Sequence, residues 1–475
     1  MTHLIRQQYL HVEFDGTEPE ALAVQRRLSG IVYQYLLPAV ERTLDRHSTE
    51  DRHLCIERLE LDAGALPLER LEYDLAASVA WALEKSLREE LPKSQGSSQR
   101  KSAQETLAEA FLYFLKNGTL PWSFRLPEGR DLEQTLLSCW QEPDQPESNS
   151  GTVKNAAPAL LASATARKRL VLQFSELFLE IMLALLEEGD DKTVATVLQT
   201  LAGLQLPAAV LKRFKTSVWE TAFACVATGD HLSEYRLVAR AWRLLPASAQ
   251  GHAELAGGLE RHWPDVTGKI TPSPGADAGN LPGHPDTGAG SRQQPAAEKI
   301  SGNVGEHPEA SDGLFVDNAG LVLLHPFLPR LLEALGITEE DQLLQPERAL
   351  CLLHYLATGE SRAPEYQLML PKILCDVPLQ RPVEPDLALT AAERDECAAL
   401  LSAVVRHWGA LGDCSADALR GTFLLRPGKL SLRQDGEWLL KVETCTCDIL
   451  LEQLPWGISM VKLPWMPKMV WVEWS

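Results

Sequence analysis

The residues that could do chemistry are few and stand in small groups. Cys445-Thr446-Cys447 puts two thiols on one side of an expected strand. A closed metal site would need two more ligands at suitable spacing, and none lies nearby in the sequence. Ordinary packing is the simpler account than metal or redox work. Cys351 and His354 lie three apart on an expected helix, so they could face one another as a thiol–imidazole pair. Their neighbours Leu350, Leu352, Leu353 and Leu356 mark that helix as core. Glu393, Asp395 and Glu396 fall near a helix start, where the helix dipole favours negative charge. His325 before Pro326, and His407 before Trp408, read as structural, and Glu57/Glu60 and Glu89/Glu90 as solvated pairs. The chain has no G-x-x-x-x-G-K-[ST], H-E-x-x-H, G-x-S-x-G or EF-hand loop. No catalytic, cofactor-binding or metal residue is assigned, and the chain is not read as an enzyme.

The other marked feature is aromatic. Five of the 12 tryptophans fall between Trp438 and Trp474, and Leu-Pro-Trp occurs twice, at 454–456 and 463–465. Proline fixes φ and supplies no N–H, so neither copy belongs inside a regular helix. Aromatic anchors concentrate binding energy at interfaces. Trp456, Trp465, Trp471 and Trp474 are therefore candidates for docking a partner, against the plainer expectation that they pack on their own domain.

These groups need elements to hold them. Alternation over 4–14 predicts a strand, and Thr17 with Glu20 has capping-box spacing for a helix that Pro38 should kink or end. A second strand near Leu54–Leu61 and a helix from Pro67, apolar at Leu68, Leu71, Leu75, Val79 and Leu83, complete a β-α-β-α unit over 1–91. Residues 92–104 read as a linker. Helical periods recur over 105–116, 160–189, 192–203, 207–227 and 231–245, giving a helical region over 105–263 with a polar break near 141–158. From 264 to 312 Pro, Gly, Ala, Ser and Asp dominate, so this stretch is expected to be a disordered linker.

The C-terminal body, 313–475, should hold helices at 346–357, 365–375, 391–411 and 415–425, then a hairpin. Leu430/Leu432 and Trp438/Leu440/Val442 alternate around Asp435-Gly436, a type I′ turn signal. Val470 and Val472 suggest an edge strand. The fold class is α+β, predominantly α-helical.

Bulk properties narrow the partners. A net charge of −20 argues against broad nucleic-acid or anionic-membrane binding. The basic runs Arg167-Lys168-Arg169 and Lys212-Arg213 are short and read as solvated helix edges. No signal peptide is visible, and Leu170–Leu186, the most apolar run, contains Gln173, Glu176 and Glu180 and reads as a packed helix. Nine scattered cysteines fit reduced thiols in the cytoplasm.

Four stretches together resemble the contractile injection system tape measure family of phage-tail-like particles. They are Ile5–Glu13 with Gln25–Leu28 and Leu36–Ala39; Ile56–Asp62; Asn318–Pro329; and the Leu-Pro-Trp end, Leu454–Trp474. The resemblance spans roughly 1–90 and 312–474. It implies a structural protein that sits in the inner tube during assembly and sets its length. Its ends would engage inner-tube, baseplate or cap proteins, and it allows a homo-oligomer inside the tube. It implies no cofactor, no nucleic acid and no membrane. A soluble adaptor or assembly chaperone that never enters the particle is the alternative.

Overall fold

A computed structural model of the chain describes residues 5, 8, 10–14, 17–47, 52–56, 59–90, 98–127, 129–141, 146–186, 192–230, 233–245, 253–267 and 313–474. Most of 264–312 therefore lies outside the described residues, as does the Glu188-Gly189-Asp190 turn. The chain divides into two compact units. One is Met1–Ala166 with Phe174–Glu188; the other is Arg167–Gln173 with Gly189–Ser475. The fold is α+β and mostly helical, with a small mixed sheet near the C-terminus.

In the first unit, the described part of 5–14 is not a strand, and Leu10 and Val12 stay exposed. The alternation found no apolar surface to cover. Thr17 does start a helix: its backbone N–H and hydroxyl both donate to Glu20 Oε2, at 2.9 and 2.6 Å. Those bonds hold the Glu20 carboxyl below its usual range. The helix Glu18–Ile31 does not end at Pro38. A π-helical turn at Val32–Leu36, in which Leu37 N–H reaches Val32 O, leads into Leu37–His47. The wider turn accommodates a residue with no N–H to donate. Ile31, Leu36 and Val40 pack against Leu75, Val79, Leu83 and Leu87 of helix Leu71–Glu90. Strand β1 (Arg52–Ile56) pairs antiparallel with β2 (Ser98–Ser102), so part of the stretch read as a linker is a strand.

Further along this unit, helix Ala103–Asn117 buries Leu107, Ala110, Phe111, Phe114 and Leu115. The polar stretch around 141–158 contributes helix Pro146–Leu161. Val153, Ala157 and Leu161, spaced by four, are fully buried and outweigh its polar composition. The apolar run 170–186 is two helices, of which only the second, Glu176–Leu186, lies in this unit. It breaks at Phe174-Ser175, where Ser175 N–H donates to Glu133 Oε2 at 3.0 Å and Ser175 Oγ accepts from Phe178 N–H at 3.2 Å, capping Glu176–Leu186. Phe174 stacks on Phe178 with centroids 4.3 Å apart, beside Phe111 and Trp140.

In the second unit, helices Thr193–Ala202, Ala208–Thr228, Glu234–Leu244 and Ala253–His262 follow one another. Gly229, at φ +69°, closes the longest of them in the left-handed region. After residue 313, β3 (Leu314–Val316) and a 3-10 segment Ala319–Leu324 enter a continuous apolar core. That core also takes helices Pro346–Thr358, Met369–Leu374 and Ala391–His407. A two-residue ladder joins β4 (Thr338–Glu339) and β5 (Gln342–Leu343).

The expected hairpin is β6 (Gly428–Leu432) and β7 (Trp438–Val442), with Leu430 opposite Leu440. Its loop is not type I′. Gly436 N–H bonds Arg433 O, Arg433 N–H bonds Glu437 O, and Gly436 alone takes positive φ, +81°. That is a three-residue loop ending in a glycine bulge. The final strand, β9 (Val470–Glu473), is interior: it runs parallel to β7 and is covered by β8 (Met460–Val461), giving the order β3-β6-β7-β9-β8.

Candidate functional site

The four candidate tryptophans lie in the second unit, each half-buried. Trp456 Nε1 donates to Leu323 O at 3.0 Å, and its ring meets Phe327 and Trp408 edge-on. Trp465 Nε1 donates to Leu374 O at 2.8 Å. Trp474 Nε1 donates to Asp448 Oδ2 at 3.2 Å. Trp471 differs. Its ring lies under the Arg433 guanidinium at 4.9 Å, and its buried N–H has no hydrogen-bond partner among the described residues. Proline shapes the placement: Met466 N–H closes a turn on Leu463 O at 3.0 Å around Pro464-Trp465, and the chain bends at Pro455-Trp456, so each indole reaches a carbonyl of a neighbouring element.

Next to Trp474 is a polar cluster centred on Arg426, itself 5% exposed. Its Nη1 donates to Cys445 Sγ at 2.7 Å, Cys447 Sγ at 3.4 Å and Asp448 Oδ1 at 3.0 Å. Its Nη2 donates to Asp448 Oδ2 at 3.2 Å and to Glu443 O. The Trp474 ring lies 5.7 Å from the guanidinium carbon. Cys445 and Cys447 are not on a strand. Cys445 caps a 3-10 segment, Thr446–Gln453, with Asp448 accepting from its backbone N–H at 2.8 Å. The two sulfurs lie in contact with each other. Cys445, Cys447 and Asp448 are close enough to hold a metal ion, but the guanidinium is hydrogen-bonded to all three and supplies the positive charge there.

A second cluster overturns the solvated reading for Arg169, while Lys168 beside it is exposed. Arg169 is fully buried and grips Glu365 in a two-pronged pair, at 3.0 and 3.2 Å, with Gln380 O as a third acceptor. Lys372, also fully buried, donates to Glu365 Oε1, Leu379 O and Arg381 O at 2.8–2.9 Å. Burial lowers the Lys372 ammonium to about 8, against the pull of Glu365. Gln173 completes the join, donating to Val383 O and accepting from Glu365 N–H. The partners are 196 residues apart, so no local pattern could show them.

The remaining candidates are structural. Cys351 and His354 are buried on a core helix, and His354 Nε2 shares a 2.7 Å bond with Gln367 Oε1. Burial lowers His354 and His325 and pushes Cys351 up to about 11. Glu393 forms a capping box with Thr390 and pairs with Arg348. Trp408 is fully buried and donates to Leu450 O at 3.1 Å.

This geometry secures chain segments to one another. A model of the contractile injection system tape measure protein matches residues 2–474. The chain belongs to that family. No curated protein and no solved structure matches it. The tape measure match runs through the helical middle as well as both ends, so the family pattern is wider than the four stretches that carry the resemblance by eye. As a family member, the chain is a tape measure-type structural protein associated with a contractile injection system. Among the described residues, no helix is long and apolar enough to cross a membrane.

Proposed function

We propose that this tape measure family member sets the length of the inner tube, with its two ends engaging tube, baseplate or cap proteins during assembly in the cytoplasm. The family match across residues 2–474 is the observation that carries this reading. Scale says how it must work. The longest described helix, Ala208–Thr228, has 21 residues and spans about 30 Å at ~1.5 Å per residue. A single helix of the whole chain would span on the order of 700 Å. A ruler made of this chain therefore draws on the contour of opened units or on several copies. Trp456, Trp465, Trp471 and Trp474, each half-buried, supply the docking end.

Two experiments test the role. A spacer inserted between residues 268 and 312 leaves every described contact in place. Electron micrographs of particles carrying it should show tubes lengthened in proportion to the insert, and unchanged lengths refute the ruler. Mass spectrometry of purified particles should detect the chain. A second reading, an adaptor or chaperone that stays outside the particle, is favoured by the compact, capped and fully buried cores. It requires that purified particles lack the chain while a deletion strain still fails to assemble.

A further inference from the structure

We propose that Cys445 and Cys447 form a thiol–disulfide exchange site for a small thiol and its disulfide, with Arg426 stabilising the departing sulfur. Three observations meet here. The sulfurs are in contact across a single residue. Cys445 is exposed and Cys447 half-buried, so an incoming thiolate reaches Cys445 first. The Arg426 guanidinium donates to both sulfurs through the Nη1 that also binds Asp448 Oδ1, with 7% and 13% of the Arg426 and Asp448 side chains exposed. A cation at a leaving sulfur speeds its departure as a thiolate.

The chemistry balances as follows. The thiolate of the small thiol attacks Cys445 Sγ. A mixed disulfide forms, the Cys445–Cys447 bond breaks, and its electron pair leaves on Cys447 Sγ beside Arg426. A second small thiol attacks the mixed disulfide and releases Cys445. Two small thiols are thereby oxidised to their disulfide, and the protein pair is reduced to two thiols, with the protons of the attacking thiols ending on the protein sulfurs. The reverse sequence, driven by the small disulfide, closes the pair again. Cys225, Cys351, Cys375 and Cys397 are buried and stand apart from this chemistry.

The test uses the purified full chain equilibrated at set ratios of glutathione to glutathione disulfide, quenched by alkylation and read by peptide mass spectrometry. Cys445 and Cys447 should be alkylated together or protected together, switching as the ratio changes. Cys447→Ser should accumulate a glutathione mixed disulfide on Cys445. Arg426→Gln should slow reduction on the order of tenfold and move its pH dependence upward, with Arg426→Lys restoring part of both. Circular dichroism checks that each variant folds. If Arg426→Gln does not fold, the ratio titration and the Cys447→Ser trap decide. Alkylation of both sulfurs at every ratio, or no adduct on Cys445 in Cys447→Ser, overturns the proposal. So does an Arg426→Gln variant that folds and reacts like the parent.

Discussion

Arg169 shows what one side chain does when it leaves water. Its charge is compensated by Glu365 and by the Gln380 carbonyl, and Glu365 is shared with Lys372. Removing one member strands the others in a low dielectric. Arg169→Ala is expected to lower stability by ~3–5 kcal/mol, read from urea unfolding. Replacing all three by apolar residues of similar volume should cost less, because no charge is left unpaired. Buried thiols give a pH signature. Burial pushes Cys397 up to about 12 and Cys351 up to about 11 from an ordinary 9.0, and Cys375 shifts the same way. The unfolded chain releases these protons first, so their contribution is full below pH 9 and declines as pH rises towards 11–12. Lys372, lowered to about 8 from 10.5, acts oppositely between those values. Above pH 9 the buried thiols outweigh the one ammonium: urea midpoints should fall between pH 9 and 11, and fall less in Cys397→Ala. At this scale the sequence revealed types and not partners. Arg169 looked like a surface cation because Glu365 is remote along the chain, and Arg426 carried no mark that two cysteines and an aspartate would converge on it.

Elements were more legible where the signal is local. The β6–β7 hairpin followed from alternation around Asp435-Gly436, while its loop type depended on which residue takes positive φ. The parallel pairing of β7 with β9 left no trace in either strand. Helix Pro146–Leu161 hid behind Ser, Asn and Gly, although Val153, Ala157 and Leu161 recur every fourth residue. One join between elements is steric. A Cβ added at Gly320 would run into the Phe423 carbonyl, where the 3-10 segment Ala319–Leu324 crosses the π-helical turn Arg420–Leu424. Gly320→Ala should therefore destabilise this unit by about 3 kcal/mol or prevent folding, measured by thermal melting. Trp465→Ala removes an indole anchored on Leu374 O and should lower the melting temperature. If pull-down of tube or baseplate proteins then stays intact, Trp465 is not a docking residue.

For the whole molecule, the Arg169–Glu365 pair changes how a ruler must be engineered. Deleting 95–310 would remove Arg169 and Gln173 and strip Glu365 of its bonds to both. Shortened or missing particles from that variant would report lost folding as readily as lost length. The spacer between 268 and 312 avoids this, and its particles should lengthen while the melting temperature holds.

Thr267 and Gly313 bracket that stretch, and both belong to the same unit. For a chain rich in Pro, Gly, Ala and Ser, closing a span between two fixed points costs entropy only as the logarithm of its length, with each doubling adding about 0.6 kcal/mol. Natural selection could thus extend or trim this span freely, adjusting reach in related chains without renegotiating a single buried charge.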